Sequence, residues 1–276
     1  MDIGTNGEMV LAHWGRAVAC STAAGPALEG AGIRFGMRGV PGAIDHVWTE
    51  HGTIQCSTIG AVESRGICGS GLIDAVAVLL ELGLINARGR IQSTDELDGQ
   101  RIIRLAKQIY LTQEDIRAVQ MAKGAIAAGI VLMAAHLDIS VSQIECVYLA
   151  GAFGNFLNSG NACRIGLLPP ELRGKTISVG NAAGSGARMM VCDQALFQAA
   201  GEAIEHIEFL EFSGISKSIC ITDEVSFMTD WVSVALQPKF CSKLSYTLNF
   251  LNPLLHIKGK NIENTEESLL WNAQLP

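Results

Sequence analysis

Asp2-Ile3-Gly4-Thr5-Asn6-Gly7-Glu8 places a carboxylate, a hydroxyl and two glycines side by side. Glycine lets a backbone come close to a ligand and turn its N–H groups toward an anion. A neighbouring carboxylate such as Asp2 can hold Mg²⁺, usually through water. The segment therefore reads as a tight hairpin suited to a nucleotide phosphate, leading into the apolar strand Met9-Val10-Leu11. The motif opens the chain with no strand before it, which leads us to expect a domain incomplete at its N-terminus.

Two further glycine-rich segments stand where a strand should give way to a helix. Gly151-Ala152-Phe153-Gly154-Asn155 follows the apolar run Cys146–Ala150, read as a buried strand. Gly180-Asn181-Ala182-Ala183-Gly184-Ser185-Gly186-Ala187 follows Ile177-Ser178-Val179 and precedes a helix expected to run to about His206. In α/β proteins such junctions present backbone donors to ligands. Gly66-Ile67-Cys68-Gly69-Ser70-Gly71 is a comparable loop before the helical pattern Leu72–Leu82. Its glycines serve close packing equally well. None is a P-loop, because no Gly-Lys-Ser/Thr follows.

The elements that must position these loops are legible in part. Met9–Ala12 and Ala17–Cys20 read as strands around the turn His13-Trp14-Gly15-Arg16. Pro26 suits the first turn of a short helix. Thr112-Gln113-Glu114-Asp115 resembles a capping box, opening a long helix through Met121, Ile126, Ile130 and Met133 to about His136. His136 at that end reads as a cap or dipole partner. Glu29, Arg34, Arg38 and Asp45 lie in or near a glycine-rich stretch and read equally well as ligand contacts or as solvated surface charges.

Composition narrows the function. The net charge of −7, without a basic cluster, does not suit a nucleic-acid backbone. The eight cysteines form no CxxC pair, so the chain is not expected to hold an iron–sulfur cluster or zinc by itself. Scattered single cysteines suit a reducing cytoplasm. The longest apolar run, about Gly124 to Ala135, is short for a bilayer and reads as a buried helix. Of 30 glycines only Gly259 follows Phe227. Residues 228–276 are expected to be an atypical tail, either packed on the surface or outside the fold, and 1–227 the domain.

In this order, Asp2–Glu8, Cys20-Ser21-Thr22-Ala23-Ala24-Gly25-Pro26-Ala27-Leu28-Glu29-Gly30, Gly66–Asp74, Leu149–Asn155 and Gly180–Gly184 together resemble the C-terminal ATP-binding domain of the reductive activators of corrinoid proteins. That family is similar to the acetate kinase, sugar kinase, heat-shock ATPase and actin superfamily. The resemblance implies an α/β, ribonuclease-H-like, actin-like ATPase lobe with a mixed sheet flanked by helices. It implies ATP and Mg²⁺ as cofactors, with Asp2, Gly4, Thr5, Asn6 and Gly7 as a phosphate hairpin. Gly151, Ala152, Phe153 and Gly154 would face the adenosine, and Gly180, Asn181 and Gly184 would lie near the cleft. Complete members draw an electron from an N-terminal [2Fe-2S] domain, absent from this sequence, and reduce Co(II) to Co(I) on a methyltransferase's corrinoid protein. That corrinoid protein is the implied partner, with no nucleic acid and no membrane; a homodimer is also open. The alternatives are a non-catalytic partner-binding fragment and a related activator of a radical dehydratase.

Overall fold

A computed structural model describes residues 1–211. The expected tail, 228–276, lies outside the described residues. The chain starts with β1 (Asp2–Ile3), turns through Gly4–Asn6, and returns as β2 (Gly7–His13) antiparallel to it. β3 (Arg16–Thr22) pairs antiparallel with β2 from Gly7↔Thr22 to His13↔Arg16. Trp14 and Gly15 form the two-residue turn, both with positive φ, which matches the twist of the flanking strands. A 3₁₀ turn, Pro26–Glu29, follows with Pro26 at its start, as expected.

The next elements were not anticipated. β4 (Ala43–Glu50) and β5 (Thr53–Thr58) form a hairpin, and β6 (Gly66–Ile67) adds parallel to β4. α1 (Gly69–Glu81) then begins earlier than the sequence pattern suggested. Gly69, Ser70 and Gly71 are thus helical and not loop. A Cβ on Gly71 would stand 2.2 Å from the Ile44 carbonyl oxygen, and one on Gly69 2.0 Å from that of Leu28. These glycines let α1 press against the backbone of its neighbours. α1 is buried along nearly its whole length.

β7 (Glu96–Leu97), β8 (Gln100–Arg104) and β9 (Tyr110–Thr112) make a second small antiparallel sheet, with Asp98-Gly99 as its turn. α2 (Gln113–His136) follows with the expected capping box. The Thr112 hydroxyl and Asp115 carboxylate exchange hydrogen bonds with each other's backbone N–H. Its register differs from expectation at one point: Met121 is 76% exposed and Lys123 is 2% exposed. α2 is apolar and long enough to cross a membrane by length and composition, yet two thirds of that stretch is buried in the fold. Gly129 seats it, since a Cβ there would lie 2.3 Å from Met9 Cε and 2.7 Å from Thr22 Cγ2. His136 in its last turn pairs with Glu208 at 2.9 Å.

β10 (Val147–Ala150) is buried on one side only, because Tyr148 is half exposed. Two short helices follow, α3 (Gly151–Phe156) and α4 (Ser159–Arg164). The expected Gly151–Gly154 loop is therefore the start of a helix. β11 (Thr176–Gly180) leads into α5 (Ala182–Cys192) and α6 (Gln194–Glu205), then β12 (Ile207–Phe209). One helix to His206 was expected; Asp193 divides it by capping α6 through the N–H of Ala195 at 2.8 Å. Gly184 and Gly186 are consequently helical.

The principal sheet is mixed, in the order β11-β10-β1-β2-β3-β12. β1 runs parallel to β10, β10 to β11, and β12 to β3. Only β2 runs the other way. The fold is α/β, as expected, with the aliphatic core between this sheet, α1 and α2.

Candidate functional site

Strand direction decides what meets at one edge of the principal sheet. The carboxyl ends of β1, β3, β10 and β11 all open there. Register carries Asp2 opposite Ala150, and Ala150 opposite Gly180. The turn Gly4–Asn6, the residues after Thr22, Gly151 and Gly180-Asn181 thus gather at a single edge. Ligands of open α/β sheets bind at that position. The three glycine-rich segments singled out in the sequence, widely separated along the chain, converge here.

The hairpin is the most detailed part. The Gly4 N–H donates to the Asn6 carbonyl at 2.8 Å, closing the turn. The Thr5 N–H donates to Glu29 Oε1 at 3.0 Å, and the Thr5 hydroxyl to Glu29 Oε2 at 2.8 Å. Both carboxylate oxygens of Glu29 are held by one residue of the turn. Glu29 comes from the 3₁₀ turn after β3, which delivers it to the same edge. Gly4 leaves room for it, since a Cβ there would lie 3.2 Å from Oε1. Gly7 is buried and does something else. Its missing side chain admits Thr22 and Ile126, whose Oγ1 and Cγ1 would be 2.7 Å and 3.3 Å from a Cβ.

Asp2 lies against Gly151. A Cβ on Gly151 would meet Asp2 Oδ1 at 2.3 Å, and its φ of +79° belongs to the left-handed region. Only glycine fits both conditions. Gly180 is also left-handed and faces Asn155 of α3, which contacts the Ser178 hydroxyl.

Other expected site residues have structural partners. The Phe153 ring packs onto Gly69, where a Cβ would meet Cε2 at 2.7 Å. Gly154 lies against the Leu149 backbone. The Asn181 side-chain Oδ1 accepts from the Gly184 N–H at 2.9 Å and so caps α5. Ala152 sits within α3.

Glu29 is the residue that the sequence left ambiguous and the structure places at the hairpin. A second feature was missed altogether. Asp74 on α1 is buried and accepts from Asn161 Nδ2 at 2.7 Å, while His46 Nδ1 lies 3.2 Å from its other oxygen. An irregularity in the β4–β5 register between Ile44 and His46 marks the spot. No single-sequence spacing links these three residues.

Thr5 and Asp2 suit a Mg²⁺-bound polyphosphate. The Thr5 N–H and hydroxyl already bind an oxyanion, the Glu29 carboxylate, and Asp2 is a carboxylate of the kind that holds Mg²⁺. A [2Fe-2S] cluster does not fit the described cysteines. Among the described residues no three His, Cys, Asp or Glu side chains converge on a metal position. Burial pushes the Cys20 thiol up to about 11 and raises Cys56 and Cys163 as well, which disfavours the thiolate that ligates iron.

The chain is 42% identical over 211 residues to the corrinoid activation enzyme RamQ of Eubacterium limosum, covering 68% of this chain and 35% of that protein. It is 31% identical over 218 residues to the Co(II) methylated amine-specific corrinoid protein reductase of Methanosarcina barkeri, covering 70% of this chain and 38% of that protein. A solved reductive activator for a corrinoid, iron–sulfur protein superposes with a TM-score of 0.73 at 36% identity, over 83% of this chain and 39% of the other. The chain thus spans less than two fifths of the length of these relatives. A family model for the C-terminal domain of RACo, the ASKHA domain, matches residues 1–219. With the match extending from the phosphate-type hairpin through β12, the chain belongs to the RACo C-terminal ASKHA domain family.

Proposed function

We propose that this chain is the ATP-binding lobe of a cytoplasmic reductive activator that drives Co(II) to Co(I) reduction on the corrinoid protein of a methyltransferase system. One observation carries the nucleotide part of this reading. Three glycine-rich turns meet at the carboxyl edge of the sheet, and the foremost already holds an oxyanion on Thr5. The Thr5 N–H and hydroxyl would hold phosphate oxygens, Asp2 would orient water on Mg²⁺, and Gly151 and Gly180 would leave room for the rest of the nucleotide. ATP and Mg²⁺ supply a charged ligand whose hydrolysis changes what the hairpin holds. Phosphoryl transfer of this kind rests on positioning and charge stabilisation.

The link to the partner is energetic. Reduction to Co(I) is unfavourable with an ordinary donor, so the activator must hold the partner differently in its two nucleotide states. Cleft closure between lobes is the ordinary route to such a difference. The electron itself would come from a [2Fe-2S] donor.

Titration with ATP–Mg²⁺ tests the reading. The 276-residue protein is expected to bind ATP–Mg²⁺ weakly at best and to melt only slightly higher with it, because a ligand that binds only the folded state stabilises that state in proportion to its occupancy. In an activator containing this sequence, Thr5→Ala is expected to slow ATP-dependent Co(II) reduction at least about tenfold, the scale of losing one oriented donor. Wild-type rates in the Thr5→Ala protein would exclude the hairpin from the reaction.

A further inference from the structure

The hairpin carries its own competitor. Both donors of Thr5 that could take a phosphate are occupied by Glu29, through two oxygens at 3.0 Å and 2.8 Å. A carboxylate held by an N–H and an O–H is a close chemical analogue of a phosphate edge. It also brings a negative charge to the place where a polyphosphate must put one. We propose that Glu29 sets the affinity of this site for polyphosphates, as an internal oxyanion that the terminal phosphate of a nucleoside triphosphate displaces. The inference rests on the hairpin being the phosphate site.

Displacement involves little of the fold. Glu29 is exposed, while Ala27 and Leu28 beside it are 6% and 3% exposed and anchor the 3₁₀ turn in the core. Gly30 fixes the exit of that turn: its φ is +88°, and a Cβ there would meet the Met37 backbone nitrogen at 2.6 Å. The backbone therefore stays in place and only the Glu29 side chain swings away. Gly4 has no side chain to hinder that movement. With Glu29 gone from Thr5, the freed N–H and hydroxyl pass to the phosphate with no donor left unmet. The exchange replaces one charge-assisted pair with another, so the net affinity is the difference between two similar terms. Removing the internal competitor leaves the phosphate term unopposed.

Glu29→Ala and Glu29→Gln in the 276-residue protein test this by calorimetric titration with ATP–Mg²⁺. Glu29→Ala is expected to bind about tenfold more tightly than wild type, the scale of one charge-assisted hydrogen bond. Glu29→Gln keeps the shape but not the charge, and is expected to fall between the two. Far-UV circular dichroism confirms that each variant is folded. Affinity that is unchanged or lower in both folded variants overturns the role of Glu29 while leaving the phosphate hairpin standing. Failure of wild type and both variants to bind at millimolar ATP–Mg²⁺ overturns the hairpin reading, and this inference with it.

Discussion

At the scale of single residues, the site depends on side chains that are missing as much as on those present. Gly151 is the clearest case. Any side chain there meets Asp2 and also forces a left-handed backbone on a residue that resists it. Gly151→Ala is expected to cost about 2 kcal/mol in urea unfolding. It should also weaken ATP–Mg²⁺ binding, because Asp2 must move. Unaltered stability with unaltered affinity would show that Asp2 and Gly151 are not in contact. Asp74 illustrates the opposite condition, a group that must be present. It is buried, and Asn161 is left without an acceptor when it is removed; His46, half exposed, can turn to water. Asp74→Ala is expected to cost about 2 kcal/mol, measured by the shift of the urea midpoint at constant slope. A neutral result would mean that Asn161 finds another acceptor.

At the scale of elements, identical glycine-to-alanine changes have opposite signs in two helices. In α1, a Cβ at Gly71 would stand 2.2 Å from the Ile44 carbonyl, a backbone atom that cannot step aside. In α5, a Cβ at Gly186 would meet nothing within 4 Å. Gly71→Ala is expected to destabilise by about 3 kcal/mol through overpacking. Gly186→Ala is expected to stabilise by about 0.5–1 kcal/mol through helix propensity and a stiffer unfolded chain. Melting temperatures of the two variants, lower and higher than wild type respectively, check both. Equal effects would show that propensity outweighs packing in α1. The Gly66–Gly71 segment is thereby a packing device, in contrast to the glycines at the sheet edge.

At the scale of the molecule, burial is unevenly distributed. α1 is buried on nearly all sides and α2 on its core face, whereas α5 and α6 contain no buried residue. Val191, Phe197 and Ile204 on these two helices are 88%, 64% and 69% exposed. Stability follows buried apolar contact, so opening energies should differ between these regions. Amide hydrogen exchange is expected to be slowest in α1 and the central turns of α2, and faster by orders of magnitude in α5 and α6. Uniform protection across all four helices would contradict this division.

The sequence alone determined the elements whose signals are local. The β2–β3 hairpin follows from alternating residues around Trp14-Gly15, α2 from a capping box and a long apolar pattern, and the β1–β2 hairpin from its glycine-rich turn. The ordered motifs also determined the family. Strands β4 to β9 are not legible in the sequence. The β4–β5 register is broken near His46, β6 and β7 have two residues each, and β9 has three. Glycine-rich segments were ambiguous because one residue type serves both ligand approach and close packing. Only the tertiary structure separated Gly4, Gly151 and Gly180 at the sheet edge from Gly7, Gly69, Gly71 and Gly154 in packed contacts. It also decided the place of Glu29, which the strand direction of β3 brings to Thr5, and of Asp74 with His46 and Asn161. Such juxtapositions depend on how distant strands and helices are stacked, and no local pattern of residues encodes them.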